Sequence, residues 1–145
     1  MNLKEIYTQL ILEESRNQEN KRELEHATHC EWGHNPSCGD EIKLQLEIED
    51  EIIKDASFTG QGCAISQAST SIMISLVKGK NLFEAKELIA TFLNLIKKET
   101  PLSDEELDTL GDAVALENIS TMPARVKCAV LAWHTLSVIL EKIEQ

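Results

Sequence analysis

An unbroken alternation of apolar and polar side chains over residues 41–48 constrains the fold of this chain more than any other feature. The apolar side chains occupy the even positions, Ile42, Leu44, Leu46 and Ile48. Because successive side chains of a strand point to opposite faces, this period of two predicts a strand with one buried and one wet face. Residues 49–51 turn the chain, and residues 52–59 are predicted to return as a second, antiparallel strand.

Helical periodicity surrounds these two strands. Apolar positions at helical spacing predict an amphipathic helix over roughly the first fifteen residues. A second helix is predicted after Gly62, and a third begins behind Asn81, which can cap it. Ser103 opens a short acidic segment with capping-box spacing, and Pro123 fits the first turn of a final helix.

The order of these segments predicts the fold class. Residues 17–34 are polar with few apolar anchors, which indicates an irregular connector that can include one short strand. A helix, then strands, then several helices is typical of the α+β class. We therefore expect one domain over residues 1–145, in which a small antiparallel sheet packs against several helices. A chain of 145 residues can bury a continuous core without disulfides.

Composition limits the partners that this chain can have. The formal net charge is −11 and the sequence pI is near 4.8, which argues against nucleic acid or an anionic membrane surface as the main partner. A basic surface on another protein would be attracted instead. The sequence has neither a membrane-spanning apolar run nor a signal-peptide pattern, so we expect a cytoplasmic protein. In that compartment cysteines are metal ligands, reactive thiols or buried side chains before they are disulfides.

Three of the four cysteines stand in distinctive local sequences. Cys38 lies in Asn-Pro-Ser-Cys-Gly-Asp, which places Asp40 two residues later, and Cys63 ends Gly-Gln-Gly-Cys at a strand-to-helix junction. Cys128 follows Met-Pro-Ala-Arg-Val-Lys near the start of the last helix. Three thiolates and one carboxylate form a complete tetrahedral ligand set for zinc, and thiolates are equally what iron–sulfur or sulfur-transfer chemistry requires.

Each of these residues has a simpler interpretation when it is taken alone. Cys128 could be a small buried side chain, and Asp40 could cap a turn. The convergence of three cysteines at the ends of predicted elements nevertheless favours a shared metal or sulfur site. Arg125 lies three residues before Cys128, on the same helical face, and can place a positive charge beside the sulfur.

A second group of potential ligands precedes the first strand. Cys30 lies among His26, His29 and His34, and four such residues could form another zinc site. Their spacing matches no closed zinc pattern. We therefore interpret this segment as a solvated loop with incidental histidines.

The three cysteine motifs, in this order, resemble those of the U-type iron–sulfur cluster assembly proteins. The matching segments read Asn-Pro-x-Cys-Gly-Asp, Gly-x-Gly-Cys-x-Ile-Ser-x-Ala-Ser and Pro-Ala-Arg-x-Lys-Cys-Ala, and the resemblance covers essentially the whole chain. The chain is most similar to the SufU branch, related to IscU and NifU. Classical IscU scaffolds carry a Leu-Pro-Pro-Val-Lys chaperone-binding segment and a histidine before the third cysteine. Here Lys127 replaces that histidine, and residues 99–120 resemble the insertion of the SufU branch.

The resemblance implies a function and a set of roles. It implies that Cys38, Asp40, Cys63 and Cys128 bind one Zn²⁺, and that Cys38 accepts sulfur from a pyridoxal-phosphate cysteine desulfurase of the SufS type. Downstream iron–sulfur assembly proteins would be further partners. The competing expectation is a scaffold that builds a transient [2Fe–2S] cluster on the same ligands, and a structural zinc module is a third. The sequence does not decide whether the chain is itself an enzyme.

Overall fold

Three antiparallel strands form the sheet of the computed structural model, which describes residues 2–144. The strands are β1 (His29–Asn35), β2 (Asp40–Glu49) and β3 (Ile52–Gln61), in the spatial order β1-β2-β3. The alternation in β2 has the predicted consequence, since Ile42, Leu44 and Leu46 are completely buried. The turn between β2 and β3 has positive φ at Asp50 and Glu51, as a two-residue hairpin turn of type I′ requires.

The helices cover one face of this sheet. They are α1 (Leu3–Ser15), α2 (Ala64–Val77), α3 (Leu82–Lys97), α4 (Asp104–Leu110) and α5 (Pro123–Glu144), with a 3₁₀ helix over Gly111–Thr121 between the last two. Asn81 and Ser103 both form the capping boxes that favour helix starts at these positions, and Pro123 is the first residue of α5. The predicted α+β class is therefore confirmed.

The helical layer is centred on the α5 side chain Trp133. Its ring stacks on Phe92 of α3, with centroids 4.0 Å apart, and its indole N–H donates to Ser69 Oγ of α2 at 3.0 Å. The Ser69 hydroxyl in turn donates to the Ala129 carbonyl of α5. One aromatic side chain and one hydroxyl thus join three helices, and this fixes α5 relative to the α2 start.

The connector predicted over residues 17–34 does include one strand, the seven-residue edge strand β1, which extends one residue beyond that range to Asn35. The position of the strand was not predicted because its inward side chains are not a row of large apolar residues. Gly33 faces α5 so closely that a Cβ atom there would lie 2.2 Å from Thr135 Oγ1. Cys30 and His34 consequently belong to a strand rather than to a solvated loop, and both are exposed.

The outer face of the sheet is less exposed to solvent than the alternation of apolar and polar residues predicts. Gln45 points outward but is 7% exposed, because the connector crosses it and the Leu24 N–H donates to its side-chain oxygen at 3.2 Å. Within residues 2–144, no helix is both long and apolar enough to cross a bilayer.

Candidate metal centre

Four chain segments meet at one end of the sheet. The loop over residues 36–39 joins β1 to β2 and carries Cys38, and Asp40 is the first residue of β2. Cys63 is the N-cap of α2, and Cys128 lies in the second turn of α5. The β1–β2 hairpin, the strand–helix junction and the start of α5 each contribute potential ligands. Residues that are far apart in sequence therefore come together here.

Three of the predicted ligands form a compact group. The ligand atoms of Cys38, Asp40 and Cys128 all lie within 4.8 Å of one another, and the Cys128 thiol donates to Cys38 Sγ at 3.0 Å. Asp40 and Cys128 are almost completely buried, whereas Cys38 is half-buried. Two sulfur atoms and one carboxylate are a donor set that suits zinc, and their assignment as ligands stays a prediction.

Cys63 lies beside this group but not within it. Its Sγ accepts the Ser66 N–H at 3.5 Å, which is the N-cap contact of α2. Its own N–H donates to Asp40 Oδ1 at 3.0 Å. The thiol is still near enough to contribute to raising the pKa of Cys128. The structure therefore places the fourth predicted ligand adjacent to the other three.

Electrostatics differ between the buried and exposed parts of the site. Burial, followed by hydrogen bonding with Cys38, Asp40 and Cys63, raises the pKa of the Cys128 thiol well above its ordinary value. The same thiols also affect the pKa of the exposed Arg125 side chain. A hydrogen bond with Cys128, and then the charges of the three cysteines, raises its pKa. Arg125 is thus an exposed residue near enough to the three thiols for their charges to affect its pKa.

The second group of potential ligands does not assemble. Across the described part of the chain, residues 2–144, the only group of three or more potential ligands close enough for one ion is the one at Cys38. Cys30 and His34 lie four residues apart along β1, and His34 pairs with Glu41 instead. Cys30 is exposed and takes no part in the site.

Asn35 is a member of the site that sequence reasoning did not single out. It is the last residue of β1, directly opposite Asp40 in the β1–β2 register, and it is 5% exposed. Its amide donates to Asp40 Oδ2 at 3.4 Å and to Cys128 Sγ at 3.6 Å. The available signal was an asparagine three residues before a cysteine and five before an aspartate, but recognising it requires the register.

Fold and site together define an α+β protein with a cysteine–aspartate group, able to hold a metal ion, at the end of a three-stranded sheet. The chain belongs to the NifU-like N terminal domain family, whose profile matches residues 6–138. The resemblance inferred from the three cysteine motifs is thereby confirmed, and the protein is one of iron–sulfur cluster assembly.

Individual relatives support this assignment along nearly the whole chain. The zinc-dependent sulfurtransferase SufU of Bacillus subtilis (strain 168) is 38% identical over 135 residues, which are 93% of this chain and 89% of that protein. The iron–sulfur cluster assembly scaffold protein IscU of Thermotoga maritima is 40% identical over 145 residues, with 100% of this chain and 99% of that protein covered.

Solved structures share the fold. A crystal structure described as that of a candidate iron–sulfur cluster assembly scaffold protein for the SUF system, from Fervidobacterium islandicum AW-1, superposes with a TM-score of 0.86 at 37% identity and covers 94% of this chain and 97% of its own. The N-terminal part of a NifU-like protein from Brucella abortus has a TM-score of 0.83 at 23% identity, covers 98% of this chain and 96% of its own, and shows the fold alone.

Proposed function

We propose that this protein is a zinc-dependent sulfur acceptor, which takes persulfide sulfur from a pyridoxal-phosphate cysteine desulfurase of the SufS type for iron–sulfur cluster assembly. The observation that carries the proposal is the contrast between two neighbouring thiols. Cys38 stands half-buried on a loop, whereas Cys128 is 1% exposed on a helix. One sulfur can therefore reach a partner while the other holds its place.

The ligands proposed for the ion are Cys38, Asp40, Cys63 and Cys128. The donor set supports zinc, because three sulfurs and one carboxylate oxygen can complete a tetrahedral site. When bound, the ion would favour the deprotonated form of the cysteines at neutral pH. This matters most for Cys128, whose burial otherwise favours the protonated thiol.

Cys38 is the proposed sulfur acceptor because its side chain is half-buried and has few contacts. Its Sγ contacts Cys128 Sγ on one side and the Ala124 carbonyl at 3.8 Å on the other. The Cys38 thiolate attacks the terminal sulfur of the desulfurase persulfide. The bond between that sulfur and the desulfurase cysteine breaks as a new S–S bond forms on Cys38, and the desulfurase cysteine leaves as a thiolate. The step is a thiol exchange with no net oxidation or reduction.

Arg125 has a supporting role in this proposal. Three thiolates and one carboxylate concentrate negative charge at the site, and the persulfide arrives as an anion as well. The guanidinium at the rim opposes that charge where the incoming sulfur must pass. We propose a cytoplasmic setting, in line with four free cysteines, and iron–sulfur assembly proteins as the recipients of the sulfur.

The proposal is tested by measuring cysteine desulfurase turnover with and without the protein, alongside the zinc content of the purified chain. We expect a zinc-to-protein ratio close to equimolar and an increase in turnover of about tenfold or more, because an added acceptor removes the persulfide that limits the next cycle. Unchanged turnover with a zinc-loaded protein would contradict sulfur acceptance.

A scaffold on which a [2Fe–2S] cluster is built is the second candidate. It is favoured by the Thermotoga maritima relative, which is named a scaffold and aligns with the entire chain. In this role the cluster is cargo held by the same side chains. A chain that readily loses zinc and retains a cluster after anaerobic reconstitution would favour the scaffold, whereas retained zinc would favour sulfur acceptance.

Asp40→Ala is expected to lengthen the lifetime of such a cluster several-fold. The carboxylate is a hard oxygen donor among soft thiolates, and it provides a labile position from which a cluster can be lost. Decay of the visible absorbance after reconstitution measures the lifetime. Asp55→Ala is the matched control, because Asp55 lies on β3 and pairs with Arg22, outside the site. Equal lifetimes for Asp40→Ala and the parent chain would weaken the scaffold interpretation.

A further inference from the structure

Asn35 connects every segment of the metal centre except the start of α2. Its side-chain amide donates to Asp40 Oδ2 and to Cys128 Sγ, and its backbone carbonyl accepts the Cys38 N–H at 3.2 Å. One residue at the end of β1 thus touches the loop, the neighbouring strand and the last helix. We propose that Asn35 is a positioning residue of the metal centre, whose amide holds Cys128 and Asp40 in the arrangement that binds zinc.

The acceptor groups around Asn35 determine which end of its side-chain amide faces them. Asp40 offers a carboxylate, and Cys128 offers a sulfur that must lose its proton before it can bind a metal. Both are acceptors in that state, so the NH₂ group of Asn35 faces them and its two hydrogens satisfy one acceptor each. The opposite orientation would direct a carbonyl oxygen at two negative groups. The amide therefore holds the Asp40 oxygen and the Cys128 sulfur close to each other.

Burial makes this contact consequential. Asn35 is 5% exposed and Asp40 is 2% exposed, so water cannot readily replace the lost donor. A buried acceptor without a partner carries its full desolvation cost. Hydrogen bonds to metal ligands from neighbouring residues commonly change metal affinity by about 10- to 100-fold. The same range is expected here.

The chain supplies a matched control in Asn20. This side chain is 2% exposed and equally engaged, since its amide donates to Ser71 and Ser75 and its oxygen accepts from Lys78 Nζ. Those partners belong to the second half of α2 and the residue after it, away from the metal centre. Replacing Asn20 thus removes a buried amide without touching a proposed ligand.

The test compares Asn35→Leu and Asn20→Leu with the parent chain by chelator competition for zinc. Leucine preserves approximate size and removes the amide. We expect Asn35→Leu to weaken zinc binding about 10- to 100-fold. Asn20→Leu should lower the melting temperature but leave zinc affinity within about twofold of the parent. Cobalt(II) provides a spectroscopic signature, since Asn35→Leu should also shift the thiolate-to-cobalt charge-transfer band, and Asn20→Leu should not.

The outcomes separate this inference from the proposed function on which it rests. Parent-like zinc affinity in Asn35→Leu, or an equal loss in Asn20→Leu, would overturn the positioning role while leaving the metal centre standing. A parent chain that binds no zinc would overturn the metal centre itself. If Asn35→Leu does not fold, Asn35→Ala makes the same comparison, because it removes the amide without adding apolar bulk.

Discussion

Cys38→Ala is expected to abolish the stimulation of cysteine desulfurase turnover, a loss of about tenfold or more that returns the rate to the level measured without the protein. The variant removes the only half-buried thiol of the compact ligand group, and the buried Cys128 cannot take its place. Turnover of cysteine to alanine in the presence of a reductant is the measurement, with the acceptor in excess over the desulfurase.

The variant should retain the fold. Cys38 lies on a connecting loop, and its side chain contributes only the contacts with Cys128 and Ala124. Far-ultraviolet circular dichroism and the thermal transition of the metal-free protein should therefore match those of the parent chain. Cys30→Ser is the control for loss of a thiol as such, because Cys30 is exposed on β1. Parent-level stimulation by Cys38→Ala would rule out this residue as the acceptor.

Much of the fold was accessible from the sequence because its signals are local. The alternation over β2 depends only on which face is buried, and the capping boxes at Asn81 and Ser103 depend on residues three positions apart. Pro123 marks the start of α5 because a missing N–H is harmless there. Such features need no knowledge of what packs against them.

The features that escaped prediction all depend on tertiary contacts. One inward position of β1 is the glycine Gly33, where a Cβ atom would meet the Thr135 side chain of α5. The role of Asn35 becomes visible only when the β1–β2 register sets it opposite Asp40. The 3₁₀ helix over Gly111–Thr121 packs its apolar residues against neighbouring helices. Those residues do not follow a regular period in the sequence, so the sequence did not predict this helix.

The sequence predicted part of the candidate site. The cysteine motifs indicate that Cys38, Asp40 and Cys128 share one place, and the structure brings these three together. Cys63 was expected beside them on equal terms, yet its thiol caps α2 and only its N–H contacts Asp40. Spacing predicts which segments meet, whereas the direction of each side chain follows from the packing of the helix that carries it.

A single backbone contact between β2 and β3 supports both the fold and this site. Gly60 has φ of +118°, and a Cβ atom there would lie 2.0 Å from the Glu41 carbonyl oxygen. Glu41 directly follows Asp40, and Gly60 lies three residues before Cys63. The close approach of these two backbones therefore sets the distance at which the Cys63 N–H meets the Asp40 carboxylate.

Gly60→Ala is accordingly expected to destabilise the protein by about 3 kcal/mol or more, because the methyl group meets backbone rather than a movable side chain. Gly79→Ala is the control. Gly79 also has a positive φ, of +83°, but its surroundings are open, so it should cost only the backbone strain of about 1–2 kcal/mol. Denaturant unfolding of the metal-free chains measures both. Zinc content provides the second measurement: Gly60→Ala should lose metal because Asp40 and Cys63 separate, while Gly79→Ala keeps it. Equal destabilisation in the two variants would mean that φ strain alone governs Gly60 and that the β2–β3 contact does not shape the site.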